Sequence, residues 1–259
     1  MKIKWIVGGL LWASSYLQAA AQEYKLWYDE PAQVWTEALP LGNGRLGAMV
    51  FGNPGVEHIQ LNEETIWAGR PNNNANPDAL EYIPKVRQLV FEGKYLEAQT
   101  LATEKVMAKT NSGMPYQSFG DLHISFPGHT RYSDYYRELS LDSARTIVRY
   151  KVDGVTYQRE TLTSFADQVV MVRLTASQPG KITCNANLTT PHQDVMVATE
   201  GEEVTLSGVS SWHEGLKGKV EFQGRMTART QGGTRACRDG VLSIEGADEA
   251  VIYISIATN

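Results

Sequence analysis

From Gly120 onward the chain alternates apolar and polar residues with period two, and that rhythm suits half-buried β-strands and little else. Thr146, Val148, Tyr150 and Val152 fall on one face of such a segment, Asp153-Gly154 supplies a tight turn, and residues 155–162 return. The pattern predicts a hairpin there. Further strands are predicted at 168–176, 181–189, 203–207, 219–230 and 250–257, with another hairpin formed by 45–51 and 56–61 across Gly52-Asn53-Pro54-Gly55. One stretch breaks the rhythm. Residues 77–108 carry few β-branched side chains and place Val86, Leu89, Val90 and Phe91, then Tyr95, Ala98, Ala102 and Val106, at helical spacing on either side of Gly93. A helical hairpin is predicted, with Pro84 in a first turn, where its missing N–H does no harm. The fold class that results is all-β, an antiparallel sandwich with an inserted helical hairpin, and the lack of a Pro/Ser-rich linker makes residues 22–259 one domain.

The first 21 residues stand apart. Lys2 and Lys4 precede an apolar stretch that Gly8, Gly9, Ser14 and Ser15 interrupt, and Ala19-Ala20-Ala21 closes it. That is the layout of a secretory signal peptide, too short and too broken for a comfortable bilayer span. Cleavage after Ala21 is expected, leaving Gln22 as the first residue of a periplasmic or secreted product. The leader takes two of the 24 Lys and Arg and none of the 29 Asp and Glu. The remainder is mildly acidic, which argues against nucleic acid and anionic membrane as partners.

Two cysteines exclude a disulfide scaffold and a Cys-rich metal site. In an oxidising compartment Cys184 and Cys237 could pair. Cys184 also falls on the apolar side of a predicted strand, so a buried free thiol is the competing expectation.

Gly42-Asn43-Gly44-Arg45-Leu46-Gly47 matches G-x-G-x-x-G, but residues 48–51 continue as strand, whereas a dinucleotide fingerprint must open a helix. No cofactor is expected, and the glycines read as a tight turn where backbone passes close to a neighbouring surface. Glycoside cleavage needs two facing carboxyl groups. Glu63 and Glu64, adjacent on a strand, point to opposite faces. Glu200, Glu202 and Glu203 flank Gly201 in a turn and read as a solvated cluster. The five histidines show no i, i+4 pair, so no metal site is expected. Trp212-His213-Glu214 offers an aromatic that either stacks on a sugar or packs inside, and no G-x-S-x-G elbow occurs.

Three stretches together resemble one family. Residues 39–52, centred on Gly42-Asn43-Gly44-Arg45-Leu46-Gly47, and Asn62-Glu63-Glu64-Thr65-Ile66-Trp67-Ala68-Gly69 are similar to the opening hairpin of family 95 glycoside hydrolases. Asn76-Pro77-Asp78-Ala79-Leu80 and residues 89–98 resemble its helical insertion. Pro115-Tyr116-Gln117-Ser118-Phe119-Gly120-Asp121-Leu122, residues 135–142 and Tyr157-Gln158-Arg159-Glu160 resemble its first sandwich strands. The resemblance implies an N-terminal β-supersandwich followed, in the family, by an (α/α)6 barrel. It also implies an inverting α-L-fucosidase that removes terminal, typically α-1,2-linked, fucose from oligosaccharides. By that analogy catalysis belongs to the barrel, beyond Asn259, and no catalytic residue is assigned here. The candidates for facing the barrel or a glycan are Asn43, Arg45, Asn62, Glu63, Trp67 and Trp212. Two stretches depart from the family pattern, the loop 209–218 and His192-Gln193-Asp194. The other function class is a carbohydrate-binding module, which would need several aromatics on one exposed platform.

Overall fold

The structure, a computed structural model, describes residues 23–108 and 113–259; the leader expected at 1–21 lies outside them. In chain order the strands are β1 (Lys25–Tyr28), β2 (Leu39–Gly42), β3 (Leu46–Val50), β4 (Val56–Glu63), β5 (Gly120–Ser125), β6 (Ser133–Ser140), β7 (Arg145–Val152) and β8 (Val155–Ser164). There follow β9 (Val169–Ala176), β10 (Ile182–Thr189), β11 (Val195–Glu200), β12 (Glu203–Val209), β13 (Glu221–Gln231), β14 (Thr234–Arg238), β15 (Val241–Ala247) and β16 (Glu249–Thr258). They form a nine-stranded sheet, ordered β1-β6-β7-β8-β9-β16-β13-β12-β11, and a seven-stranded sheet, ordered β14-β15-β10-β5-β4-β3-β2. The sheets are antiparallel, as the alternation predicts.

Inward positions of both sheets make one core. Val148, Tyr150, Val172, Ile252 and Ile254 come from the first, Leu46, Ile59, Leu61, Leu122, Ile124, Ala186 and Ile244 from the second. The predicted turn at Asp153-Gly154 has φ of 47° and 79°, the left-handed pair that a two-residue hairpin requires, and Val152 pairs with Val155 across it.

The helical hairpin consists of α1 (Ala79–Phe91) and α2 (Tyr95–Lys105). Gly93 separates them at φ 76°, its N–H donating to the Val90 carbonyl while the Lys94 N–H donates to that of Leu89. Two expectations need correcting. Pro84 lies in the second turn of α1, not the first, so one intrahelical hydrogen bond is missing there. The apolar stripes are also not sunk into the sandwich: in the two helices only Ala98 is buried, and Phe91 is 83 % exposed.

Cys184 and Cys237 are both free, which corrects the disulfide alternative. Cys184 is on β10 and Cys237 on β14, with β15 hydrogen-bonded between them. Two strand spacings amount to about 9–10 Å, more than the ~7 Å a disulfide can span. Burial pushes the Cys184 thiol up to about 12, while the Cys237 thiol donates to the Glu202 carbonyl at 3.2 Å. Alkylation of the native protein should therefore label Cys237 alone, with Cys184 reacting only after denaturation; mass spectrometry under non-reducing conditions checks this.

A charged network is buried where β3 turns into β4. Arg159, from β8, donates through Nη1 to the Asn53 carbonyl at 2.7 Å and to Glu57 at 3.0 Å, and through Nη2 to the Pro54 carbonyl and to Tyr150 Oη at 2.7 Å. Its guanidinium lies over the Phe126 ring at 4.0 Å. Glu57 in turn accepts the Gly52 N–H at 2.7 Å. The turn is thus closed from inside by one cation.

His129 completes the network, its Nδ1 2.9 Å from Tyr150 Oη. That hydroxyl accepts from Arg159 and can donate to His129 Nδ1 where this nitrogen carries no proton. Desolvation, then the Arg159 charge, pushes His129 down from 6.5 to about 4. A histidine depressed on folding stabilises the fold fully above pH 6.5 and loses that contribution as pH falls toward 4. His129→Gln is expected to flatten this limb of a stability-against-pH curve measured by urea unfolding between pH 4 and 7.

Candidate functional site

The opposite end of the β3–β4 hairpin carries the glycine-rich turn. Asn43 Oδ1 accepts the N–H groups of Arg45 at 3.0 Å and Leu46 at 2.7 Å, so the side chain builds the turn. Gly44 has φ 93°, and a Cβ there would meet nothing within 4 Å. This corrects the close-approach reading: the glycine is required by backbone conformation, not by a neighbour.

Asn43 and Arg45 then stitch the two sheets together. Asn43 Nδ2 donates to the Ser164 carbonyl at 2.7 Å; Arg45 donates through Nε to Gln168 Oε1 at 2.8 Å and through Nη1 to the Ile256 carbonyl at 2.7 Å. Arg45 also lies 3.4 Å from Glu63, a buried carboxylate that accepts the Thr65 N–H at 2.8 Å and its hydroxyl at 2.6 Å. Three of the predicted candidates are brought together in this way, but their polar atoms are spent inside the domain. Glu64, in the turn that follows β4 and not on the strand as the sequence suggests, is exposed. Asn62 sits apart, half-buried on the outer face opposite Gly47.

Three segments meet beside this turn and form a rim. The Ala68 N–H donates to the Pro115 carbonyl, Gln117 N–H to that of Ile66, Gly69 N–H to that of Ser211, and Lys219 N–H to that of Gly69. His192 fastens the corner, its Nε2 at 3.0 Å from the Ser118 carbonyl and its Nδ1 at 3.1 Å from Ser211 Oγ. Trp67 and Tyr116 face each other edge to face, centroids 5.5 Å apart, while Trp67 donates to the Glu64 carbonyl and Tyr116 to that of Glu63. Trp67 is 46 % and Trp212 62 % exposed. A cavity of about 450 Å³ lies against Trp212, Pro191 and Asp194, and a larger cleft of about 860 Å³ adjoins it between β11, β13 and Asn259. Both stretches that depart from the family pattern border these hollows.

Chemically the rim offers aromatic surface to solvent, whereas its buried carboxylate and its arginine already have partners. One grouping lies elsewhere. On the outer face of the seven-stranded sheet, His58, Asp121 and His123 bring their ligating atoms within 4.8 Å of one another. The sequence expectation of no metal cluster rested on the absence of helical spacing. The grouping arises instead from the β4–β5 register, which sets His58 opposite His123.

Comparison with known proteins places the chain in a class. A family model described as the glycosyl hydrolase family 65 N-terminal domain matches residues 26–259, and the chain belongs to this family of glycoside hydrolase N-terminal domains. Among curated relatives, it is 39 % identical over 171 residues to alpha-L-fucosidase 2 of Arabidopsis thaliana, covering 64 % of this chain and 20 % of that protein. It is 28 % identical over 251 residues to the probable alpha-fucosidase A of Aspergillus niger, covering 90 % of this chain and 30 % of the relative. The probable alpha-fucosidase A of Aspergillus oryzae is also 28 % identical, over 170 residues, covering 62 % of this chain and 23 % of the relative. The chain thus spans between a fifth and a third of the length of these relatives. A putative kojibiose phosphorylase from the human microbiome overlaps 91 % of this chain, which covers 32 % of it, with a TM-score of 0.47 and 10 % identity, a likeness too slight to bear on function.

Proposed function

We propose that this domain serves an exported α-L-fucosidase, an inverting enzyme acting on terminal, typically α-1,2-linked, fucose. In this reading it packs against a helical catalytic barrel and shapes the rim of the barrel's active site, and fucosylated oligosaccharide meets the whole enzyme rather than this domain alone. The 39 % identity to an α-L-fucosidase carries the reading. The surface supports the role: the rim and the helical hairpin expose large apolar side chains, Trp67, Phe91, Leu96 and Trp212, of the kind interfaces cover. Export rests on Lys2, Lys4 and Ala19-Ala20-Ala21.

A second reading, a stand-alone carbohydrate-binding module, has one observation in its favour. Trp27 and Tyr136, on the outer face at the β1 edge, lie 6.3 Å apart with planes 18° from parallel. At the rim, by contrast, Trp67 and Tyr116 are 66° apart in plane and give a sugar ring no flat surface.

The test is to exchange this domain into the Arabidopsis enzyme. The chimera is expected to release L-fucose from a 2′-fucosylated oligosaccharide, the isolated domain to release none, and the Arabidopsis protein without its N-terminal region to be inactive. Turnover by the isolated domain, abolished by a single carboxylate substitution within it, would sink the reading. Saturable oligosaccharide binding by the domain, lost in Trp27→Ala, would favour the module instead.

A further inference from the structure

We propose that His58, Asp121 and His123 form a binding site for one borderline divalent transition cation, Zn²⁺ being the type, held across β4 and β5. The site follows from strand geometry. His58 and His123 are directly opposed on adjacent antiparallel strands, where Cβ atoms stand about 4.5–5.5 Å apart. Asp121 is two residues before His123 and so projects from the same face. A strand pair therefore supplies three corners of a ligand set without any loop having to be ordered.

Local packing holds the set together. The backbone N–H of Phe51 donates to the His58 carbonyl, and the Phe51 ring stacks on the imidazole with centroids 4.3 Å apart. The imidazoles of His58 and His123 stack at 5.0 Å, so Phe51, the residue after β3, forms a row with His58 on β4 and His123 on β5. His58 Nε2 lies 2.6 Å from Asp121 Oδ1, and His123 Nε2 lies 3.2 Å from Thr189 Oγ1. All three residues are half-buried, which leaves an approach from solvent and limits the water competing for each donor.

The donor set selects the metal. Two imidazole nitrogens and one carboxylate oxygen suit Zn²⁺, Ni²⁺, Co²⁺ or Cu²⁺, whereas Ca²⁺ and Mg²⁺ demand oxygen shells. Zinc–ligand bonds of 2.0–2.2 Å put tetrahedral donors about 3.4 Å apart, a spacing between the 2.6 Å of His58 Nε2 to Asp121 Oδ1 and the 4.8 Å within which all three ligating atoms lie. Three protein ligands leave a fourth position for water or an incoming donor. The ion would cross-link β4 to β5.

The experiment titrates the untagged full chain with Co²⁺, read by visible d–d absorption, and with Zn²⁺ by calorimetry. One equivalent should bind, Ca²⁺ and Mg²⁺ should not compete, and His58→Ala or His123→Ala should each weaken binding at least ~10-fold, since even the loss of a group that merely orients a ligand costs that much. The substitutions face outward, and far-ultraviolet circular dichroism checks that they fold. Zn²⁺ should also perturb the imidazole NMR signals of His58 and His123 in the unaltered chain, a readout that needs no variant. No saturable binding would overturn the site. So would binding unchanged in the double His58→Ala/His123→Ala variant, or perturbations centred on His213.

Discussion

Arg159→Ala is expected to destabilise the domain by about 3–5 kcal/mol, the usual cost of removing one partner from a buried ion pair. The guanidinium closes the β3–β4 turn through two backbone carbonyls, neutralises Glu57 and stacks on Phe126. Its loss leaves the Glu57 carboxylate with no counter-charge, held only by backbone N–H such as that of Gly52, and takes a donor from two carbonyls in a dry interior. Burial already raises Glu57 above 4.5, with the Arg159 charge opposing. In the variant that opposition is gone, so Glu57 should protonate more readily in the folded state and favour the fold at lower pH. Stability lost at pH 7 should therefore be partly regained as pH falls toward 5. A double variant, Arg159→Met with Glu57→Gln, removes both charges and should recover part of the loss. Urea unfolding of the three proteins decides it: a midpoint for Arg159→Ala within about 0.5 kcal/mol of the parent, the range of an ordinary surface substitution, would show that the network contributes little.

The sheets were legible in the sequence because most of their strands are buried on one face only. Residues such as Val148, Tyr150 and Val152 on β7 alternate with exposed positions, and period two survives in the amino acids. Of the strands that escape notice, β1, β2, β11 and β14 are the four sheet edges, and β15 lies one place inside the β14 edge. An edge strand is free of the two-faced constraint: all four residues of β1 are exposed, as are the first three of β11, and no alternation is written there. The helical hairpin shows the converse. Its spacing was readable, but amphipathic spacing does not say what covers the apolar face, and in this chain Val90, Phe91 and Tyr95 meet solvent while only Ala98 is buried.

The candidate site was legible only in part, for a similar reason. Asn43, Arg45 and Glu63 stand out as polar residues in a glycine-rich motif, yet partners such as Ser164, Gln168 and Ile256 lie more than 100 residues away. Sequence spacing carries no trace of that stitching. The same holds for Glu57 with Arg159, and for His58 with Asp121 and His123. Each pair becomes a unit only through strand order and register, which is information of the sheet rather than of the segment.

Register also explains why Gly120→Ala should have the second large effect, about 3 kcal/mol or more, as for an alanine forced into both backbone strain and a steric clash. Gly120 opens β5 at φ 151°, where an added Cβ would come within 2.1 Å of the Thr189 carbonyl oxygen and 3.0 Å of the Thr190 Cα, backbone atoms of β10 and the residue after it that cannot yield. The residue before it, Phe119, is fully buried and meets Phe222 edge to face at 5.6 Å. Its ring fits because position 224 is also glycine; a Cβ there would stand 2.3 Å from Phe119 Cζ. Gly120 sets the chain direction and Gly224 empties the space. Both changes should loosen the rim as well as the core, since the N–H of Phe119 donates to Leu61 and that of Gln117 to Ile66, while Ser118 holds His192. Gly224→Ala leaves the backbone conformation of β13 permissible and should cost less, about 1–3 kcal/mol for overpacking. Hydrogen exchange with mass spectrometry distinguishes the two consequences. Gly120→Ala should lose protection at 64–69 and 114–119 together with β5, whereas equal protection of the rim in variant and parent would show that the rim holds its shape without Phe119 being seated.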